Sequence, residues 1–266
     1  MESGFLWFAG LAVVSTMALG IGFRLGKGSP SKAWLKAGTA LVLLAIWVWL
    51  RWHPAVAVQA IPVTALSYLE GTAAVPMFMF LMGLACQLSS HPRQRRLAMW
   101  AVVLGVVYFL HGGIWMLQRT PGGLLAHRAV LGPTLQSEDF ACVPAACASA
   151  LKRLGIPATE SEMAHLTRTR AGYGSTLIRA MDGLRRKLVG SGLEVVLVQP
   201  TYEELVDFPT PALTALKTDA IGRHMVVLER ITDQDVQMID PLYGSVSVSR
   251  QKFEASYCRQ VLVFER

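Results

Sequence analysis

Gln136-Ser137-Glu138-Asp139-Phe140-Ala141-Cys142-Val143-Pro144-Ala145-Ala146 is the stretch on which the reading of this chain turns. It sets an amide side chain six residues ahead of a thiol, and the thiol stands where a helix begins. Pro144 suits a first helical turn, because its missing N–H would find no intrahelical partner there. The helix is predicted to run over 144–154 and to stop at Gly155, with Cys147, Leu151 and Leu154 on its core face. Free amides and the helix dipole at such a start favour negative charge, so a thiolate is favoured at Cys142.

Further along come His224, in Arg-His-Met-Val-Val-Leu, and Asp240, in Met-Ile-Asp-Pro. An imidazole beside Cys142 would take its proton or hold the thiolate as an ion pair. A carboxylate on the second ring nitrogen would orient that imidazole, and the Gln136 amide would donate to the oxyanion of a tetrahedral intermediate, with the Cys142 backbone N–H as a second donor. The surrounding residues read as an α+β domain. Thr159-x-x-Glu162 and Thr201-x-x-Glu204 are capping boxes that start helices, and Leu177, Met181, Leu184 and Leu188 form a helical stripe. Apolar runs at 194–198, 212–216, 225–231, 236–239, 245–248 and 261–264 read as strands of an antiparallel sheet, separated by turn signals such as Pro241-Leu-Tyr-Gly244. His165 lies on a polar helix and is expected to be solvated.

Before residue 120 the character changes. The chain has 266 residues, 53% of them hydrophobic and 16% charged, with a mean hydropathy of +0.41, too apolar for one ordinary soluble domain. The net charge of +7 is unevenly placed. Residues 1–119 carry nine basic side chains against Glu2 and Glu70, whereas 120–266 carry sixteen of each sign. The excess therefore belongs to the apolar half, and a nucleic-acid partner is not expected. Four cysteines (Cys86, Cys142, Cys147, Cys258) show no metal-ligand spacing, so neither a metal site nor another cofactor is expected, while a Cys147–Cys258 pairing stays open.

Apolar runs at 4–23, 37–52, 65–88 and 97–117 predict four membrane-spanning helices, with Trp47, Trp49, Trp52, Trp100 and Trp115 toward their ends. The first run has only Glu2 ahead of it and is expected to stay as an anchor, not to be cleaved as a signal. Arg24, Lys27, Lys32 and Lys36 fill the first linker, and Arg93, Arg95 and Arg96 the third. Positive charge stays cytoplasmic, so four spans put the N-terminus and everything after Arg119 on the outer face of a plasma membrane. His111 is read as reaching interfacial water at the outer end of the last span, and Gly22-x-x-x-Gly26 as a helix-packing contact at the end of the first. The expected organisation is a membrane region at 1–119, a linker at 120–130 and a catalytic domain at 131–266.

The motifs from Gln136 onward resemble the bacteriocin-processing, double-glycine leader peptidases of the papain-like clan. The matching residues are Gln136, Cys142 with Pro144-Ala145-Ala146, Gly174-Ser175-Thr176-Leu177, His224-Met-Val-Val-Leu228, and Asp240-Pro241 followed by Gly244. The resemblance covers about 131–266 and none of the spans. It implies a papain-like α+β fold, no cofactor, and a peptide substrate cut by Cys142, His224 and Asp240 with Gln136 at the oxyanion. The chain departs from the family at Ala141-Cys142-Val143, where Asp-Cys-Gly is usual, and a bulky Val143 is expected to narrow the approach to the nucleophile. Unlike the exporters that carry such domains, this polypeptide has no Gly-x-x-x-x-Gly-Lys-Ser/Thr loop and is not expected to be a transporter by itself. Gly122-Gly123 resembles the family's cleavage signal, but it is read as part of a flexible Thr-Pro-Gly-Gly linker in preference to a self-processing site. The expectation is a membrane-anchored bacterial cysteine peptidase acting on a tethered or exported peptide, with the bilayer and a membrane protein as its other partners. A sortase-like transpeptidase and an inactive peptide-binding module are the alternatives.

Overall fold

The computed structural model describes residues 2–27, 30–121, 132–218 and 222–266, and the chain divides into two compact units, Met1–Gln118 and Arg119–Arg266. The first is all helix: α1 (Glu2–Leu25), α2 (Pro30–Trp52), α3 (Pro54–Ala60), α4 (Val63–Leu69), α5 (Ala74–Leu88), α6 (Pro92–Gly113) and a 3-10 turn at Ile114–Met116. Pro54 and Pro92 open their helices, as a residue without an N–H can. Ser3–Leu25, Lys32–Trp52 and Pro92–Met116 are long and apolar enough to cross a bilayer. The expected single helix over 65–88 is instead α4 and α5, bent by 52° at a short break. At that break Gly71 lies against Gly112 of α6, 3.4 Å from its carbonyl oxygen to an added Cβ. The broken pair would complete a fourth span only if both pieces cross together.

Glycines set the helix directions. A Cβ on Gly22 would lie 2.3 Å from the Phe80 carbonyl oxygen, one on Gly83 would lie 2.4 Å from that of Leu19, and one on Gly26 would press on Gln87. α1 and α5 therefore run parallel at backbone contact, and Gly22-x-x-x-Gly26 forms part of that seam. Gly4 meets Met116, and Gly105 meets Phe78 and Met79, so α6 runs antiparallel to both. At the Gly4 end, Tyr68 is stacked between Trp7 and Trp115, with ring centroids 5.2 and 5.9 Å away. Leu6, Val13, Leu35, Trp100 and Leu104 turn outward, an apolar surface compatible with a bilayer and costly in water. His111 is exposed in the last turn of α6.

The second unit begins with α7 (Cys142–Arg153), α8 (Glu160–Leu166) and α9 (Leu177–Lys187) and continues through β1 (Glu194–Val198), α10 (Tyr202–Leu205), β2 (Ala212–Thr218), β3 (Gly222–Ile231), β4 (Asp235–Asp240), β5 (Gly244–Ser249), α11 (Arg250–Ser256) and β6 (Tyr257–Glu265). The six strands form one antiparallel sheet in the order β1-β6-β2-β3-β4-β5. Thr159, Thr176, Thr201 and Ser249 cap helices with their hydroxyls, and Thr201 and Glu204 complete a capping box. All six predicted strand runs are strands. Helix α11 was not anticipated, since Phe253 is its one buried residue and no apolar stripe announces it. Tyr202, Leu205, Phe253 and Tyr257 pack with Val226, Leu228, Val261 and Val263 into one core cluster. α7 lies against β2, β3 and β4, and α9 against β1. A buried Arg168–Asp182 ion pair at 2.7 Å, joined by Arg186 at 3.2 Å, ties the segment after α8 to α9.

The glycine seam predicts that Gly83→Leu, which must push against the α1 backbone, lowers the stability of the purified protein in detergent by about 1–3 kcal/mol. Gly10→Leu, where an added Cβ meets nothing within 4 Å, is expected to leave it within about 0.5 kcal/mol. Thermal unfolding of the two variants side by side checks this.

Candidate active site

Cys142 is the first residue of α7, a helix buried on every side from Val143 to Leu151. Burial throughout is possible because alanines dominate it, so neighbouring elements approach closely. At its N-terminus the amides of Cys142 and Val143 have no intrahelical acceptor. The Val143 side chain is only 3% exposed. It points into the core, so the expectation that it narrows the substrate's approach is not met: the second helical position faces inward here.

His224 lies near the start of β3, opposite Leu216 of β2, and Asp240 is the last residue of β4, one position beyond the Val227–Ile239 pair. That offset leaves the two side chains one diagonal step apart, and His224 Nε2 and Asp240 Oδ1 are 2.8 Å apart. The same carboxylate oxygen accepts the Leu242 N–H at 2.8 Å, so the Asp-Pro turn holds its own carboxylate still. With Nε2 committed to Asp240, Nδ1 is the nitrogen left for Cys142, with which the ring also hydrogen-bonds. Burial pulls the His224 pKa down, but the hydrogen bonds to Cys142 and Asp240 and the charges those groups carry outweigh it. The result lies above the ordinary value of 6.5.

Gln136 is fastened to the far side of this pair: its N–H donates to the Pro241 carbonyl at 2.8 Å. Its side-chain Nε2 donates to the Glu138 carbonyl at 3.0 Å. An amide nitrogen carries two hydrogens, so one remains to be aimed at an oxyanion. The next residue, Ser137, donates its N–H to the buried Glu160 carboxylate at 2.9 Å. The four residues singled out from the sequence thus come from a loop, a helix start and two strand ends, and the fold gathers them. The sequence marks Pro241 as part of the motif, but not the positioning contacts of Leu242 and Glu160. The Asp-Pro turn carried a signal for Leu242, since an Asp side chain commonly accepts the N–H two residues on. Nothing local marked Glu160, whose partner is 23 residues away.

Cys147 is fully buried on α7, and burial, with Cys142 nearby, pushes its thiol well up. Cys147 and Cys258 are both free thiols. His165 is exposed. Among the described residues no group of His, Cys, Asp and Glu is placed to hold a metal ion. Gly122-Gly123 lies outside the described residues.

Residues 132–266 match the family model described as the Peptidase C39 family. The same half of the chain is similar to an uncharacterized protein of Methanothermobacter thermautotrophicus, at 28% identity over 136 residues, covering 50% of this chain and 87% of that protein. A second uncharacterized protein, from Methanothermobacter marburgensis, is 27% identical over 135 residues, covering 49% and 86%. Among solved structures, the peptidase domain of Streptococcus ComA, described as a bi-functional ABC transporter involved in a quorum sensing pathway, matches with a TM-score of 0.45 at 18% identity, covering 50% of this chain and 96% of its own. A double glycine motif protease from an AMS/PCAT transporter, in complex with the leader peptide, matches with a TM-score of 0.41 at 21% identity, covering 53% and 96%.

The hydrogen bonds around His224 predict its titration. A raised pKa keeps the ring protonated to higher pH, so its contribution to stability is complete below 6.5 and fades as pH rises through the folded value. Asp240→Asn removes a charge that raises it, so the His224 resonance followed by NMR is expected to titrate at lower pH in that variant. An unchanged midpoint would break the link between the two residues.

Proposed function

The chain belongs to the Peptidase C39 family, and from that premise we propose that it is a membrane-anchored cysteine peptidase that cuts leader-type peptides. Cys142 Sγ attacks the scissile carbonyl as a thiolate while His224 holds the proton. His224 then passes that proton to the leaving amine, and later draws one from the water that resolves the thioester. Asp240 keeps the ring oriented, and Gln136 Nε2 with the Cys142 N–H receives the oxyanion. The observation that carries this reading is the continuous contact Asp240–His224–Cys142 ending on a helix N-terminus.

The helical unit supports anchoring and bears on the side. Arg24 lies in the last turn of α1 and Lys27 just beyond it, Lys32 and Lys36 open α2, and Arg93, Arg95 and Arg96 open α6. With α1 parallel to α5 and antiparallel to α6, these seven cations share one end, and Gly4 and Met116 share the other. If α1, α2 and α6 all cross, α2 finishes at the end where α6 does not begin, so the chain must return through the broken α4–α5 pair. This supports four crossings, a cytoplasmic cationic end and a peptidase on the outer face.

Cys142→Ala is expected to reduce cleavage at least about a thousand-fold and to abolish labelling by a thiol-reactive peptide electrophile, whereas Cys147→Ala keeps labelling. Labelling that survives Cys142→Ala would mean another nucleophile, or none. For the topology, external protease added to spheroplasts is expected to digest the C-terminal unit; full protection would return the site to the cytoplasm.

A further inference from the structure

The second unit exposes five large apolar residues among those described: Leu135, Tyr173, Val189, Leu242 and Tyr243. Three of them sit beside the candidate catalytic groups. Leu135 precedes Gln136 in the chain, and Leu242 and Tyr243 follow the Asp240-Pro241 turn. They are 50%, 48% and 77% exposed. Their backbone is nonetheless tightly held. The Gln136 N–H is bound to the Pro241 carbonyl at 2.8 Å, and the Tyr243 N–H to the Asp240 carbonyl at 3.2 Å. The Leu242 N–H is bound to Asp240 Oδ1 at 2.8 Å. Gly244, at φ +81, folds the turn back so that its missing Cβ would lie 3.9 Å from Pro133 and 4.0 Å from Leu135. A rigid apolar rim facing water is an unpaid cost unless something covers it when the site is in use.

We propose that Leu135, Leu242 and Tyr243 form a specificity subsite for an apolar side chain on the residue that leaves, the one just C-terminal to the scissile bond. This rests on the peptidase reading above. To protonate the departing nitrogen, His224 must face the leaving chain, so that chain runs past the ring toward Asp240 and the turn that follows it. The oxyanion points instead at Gln136 Nε2 and the Cys142 N–H. The rim residues adjoin the site in the chain, Leu135 next to Gln136 and Leu242 and Tyr243 next to the Asp240-Pro241 turn toward which the leaving chain runs.

The thioester step tests this without knowledge of the natural substrate. With an N-blocked glycylglycine methyl ester as acyl donor, Cys142 Sγ displaces methanol, which takes the proton held by His224, and a thioester remains. Water then yields the acid. An added amine instead forms a C–N bond as the C–S bond breaks, its proton passing through His224 to the released sulfur. An amine that occupies the leaving-side subsite captures more of the thioester, and mass spectrometry reads amide against acid. Leucinamide is expected to capture it roughly 10-fold more efficiently than glycinamide, and Leu242→Ser with Leu135→Ser to bring the two within about 2-fold. Because this ratio is internal to each variant, a general loss of acylation does not imitate the effect. Consumption of the ester with equal capture of both amines, or a preference that survives both substitutions, overturns the subsite and leaves the peptidase standing. An ester untouched by wild type and Cys142→Ala alike overturns both. Weaker association of the variants with phosphatidylglycerol vesicles, at an unchanged amine ratio, would assign the rim to lipid and overturn the subsite.

Discussion

The second unit depends on one constraint: α7 is enclosed on all sides. Nine consecutive residues, Val143 to Leu151, are buried, and a helix with no solvent face can be neither rotated nor slid without opening voids around it. Small side chains make this possible, since Ala145, Ala146, Ala148 and Ala150 let strands β2 to β4 and helices α8 and α9 come close. The consequence for chemistry is positional. Cys142 is the residue at which this immobile rod meets the site, so its thiol inherits the rod's rigidity and the free amides of its first turn. A catalytic thiol needs little more from its own element than a fixed place in a positive field.

The imidazole and carboxylate are positioned by a different device, the pairing of β3 with β4. Register alone sets His224 and Asp240 one diagonal step apart, and the backbone then removes the remaining freedom. Asp240 Oδ1 accepts from both the ring and the Leu242 N–H, while Pro241 holds Gln136. The loop at Gln136 is thus tied to the turn after β4 by a main-chain hydrogen bond, which does not depend on side-chain identity, while the Asp240 carboxylate ties that turn to the ring. Variation at positions such as Val143 is then tolerable, because that side chain packs inward and the geometry around the thiol comes from the backbone.

Legibility from the sequence follows the range of the interaction. Caps at Thr159 and Thr201 are local, and so are the apolar strand runs; their signal and the structure occupy the same few residues. Helix α11 buries Phe253 alone and leaves no period to read. At the break between α4 and α5 Gly71 lies against Gly112, 41 positions on, and hydropathy averaged along one segment is blind to such a contact. Val143 was misread for a similar reason: its bulk is visible in the sequence, but its direction is set by what surrounds α7. Chemistry-bearing residues stood out by type, whereas Glu160 and Leu242, which hold them, act through contacts that residue type does not advertise.

The two units divide the electrostatics as they divide the fold. The first gathers seven cations at one end of a bundle whose flanks are apolar, and the second, with seventeen basic against sixteen acidic side chains, is close to neutral. A charge asymmetry concentrated in the helical unit is of the kind that orients a chain in a membrane. The protonation of the His224 ring is set locally, by burial and by its contacts with Cys142 and Asp240. On the proposed topology, a peptidase set this way suits an interface where ionic strength and surface potential vary. The His224–Asp240 contact of 2.8 Å lies well inside the roughly 8 Å over which salt screens, so changes in the surrounding charge move it little.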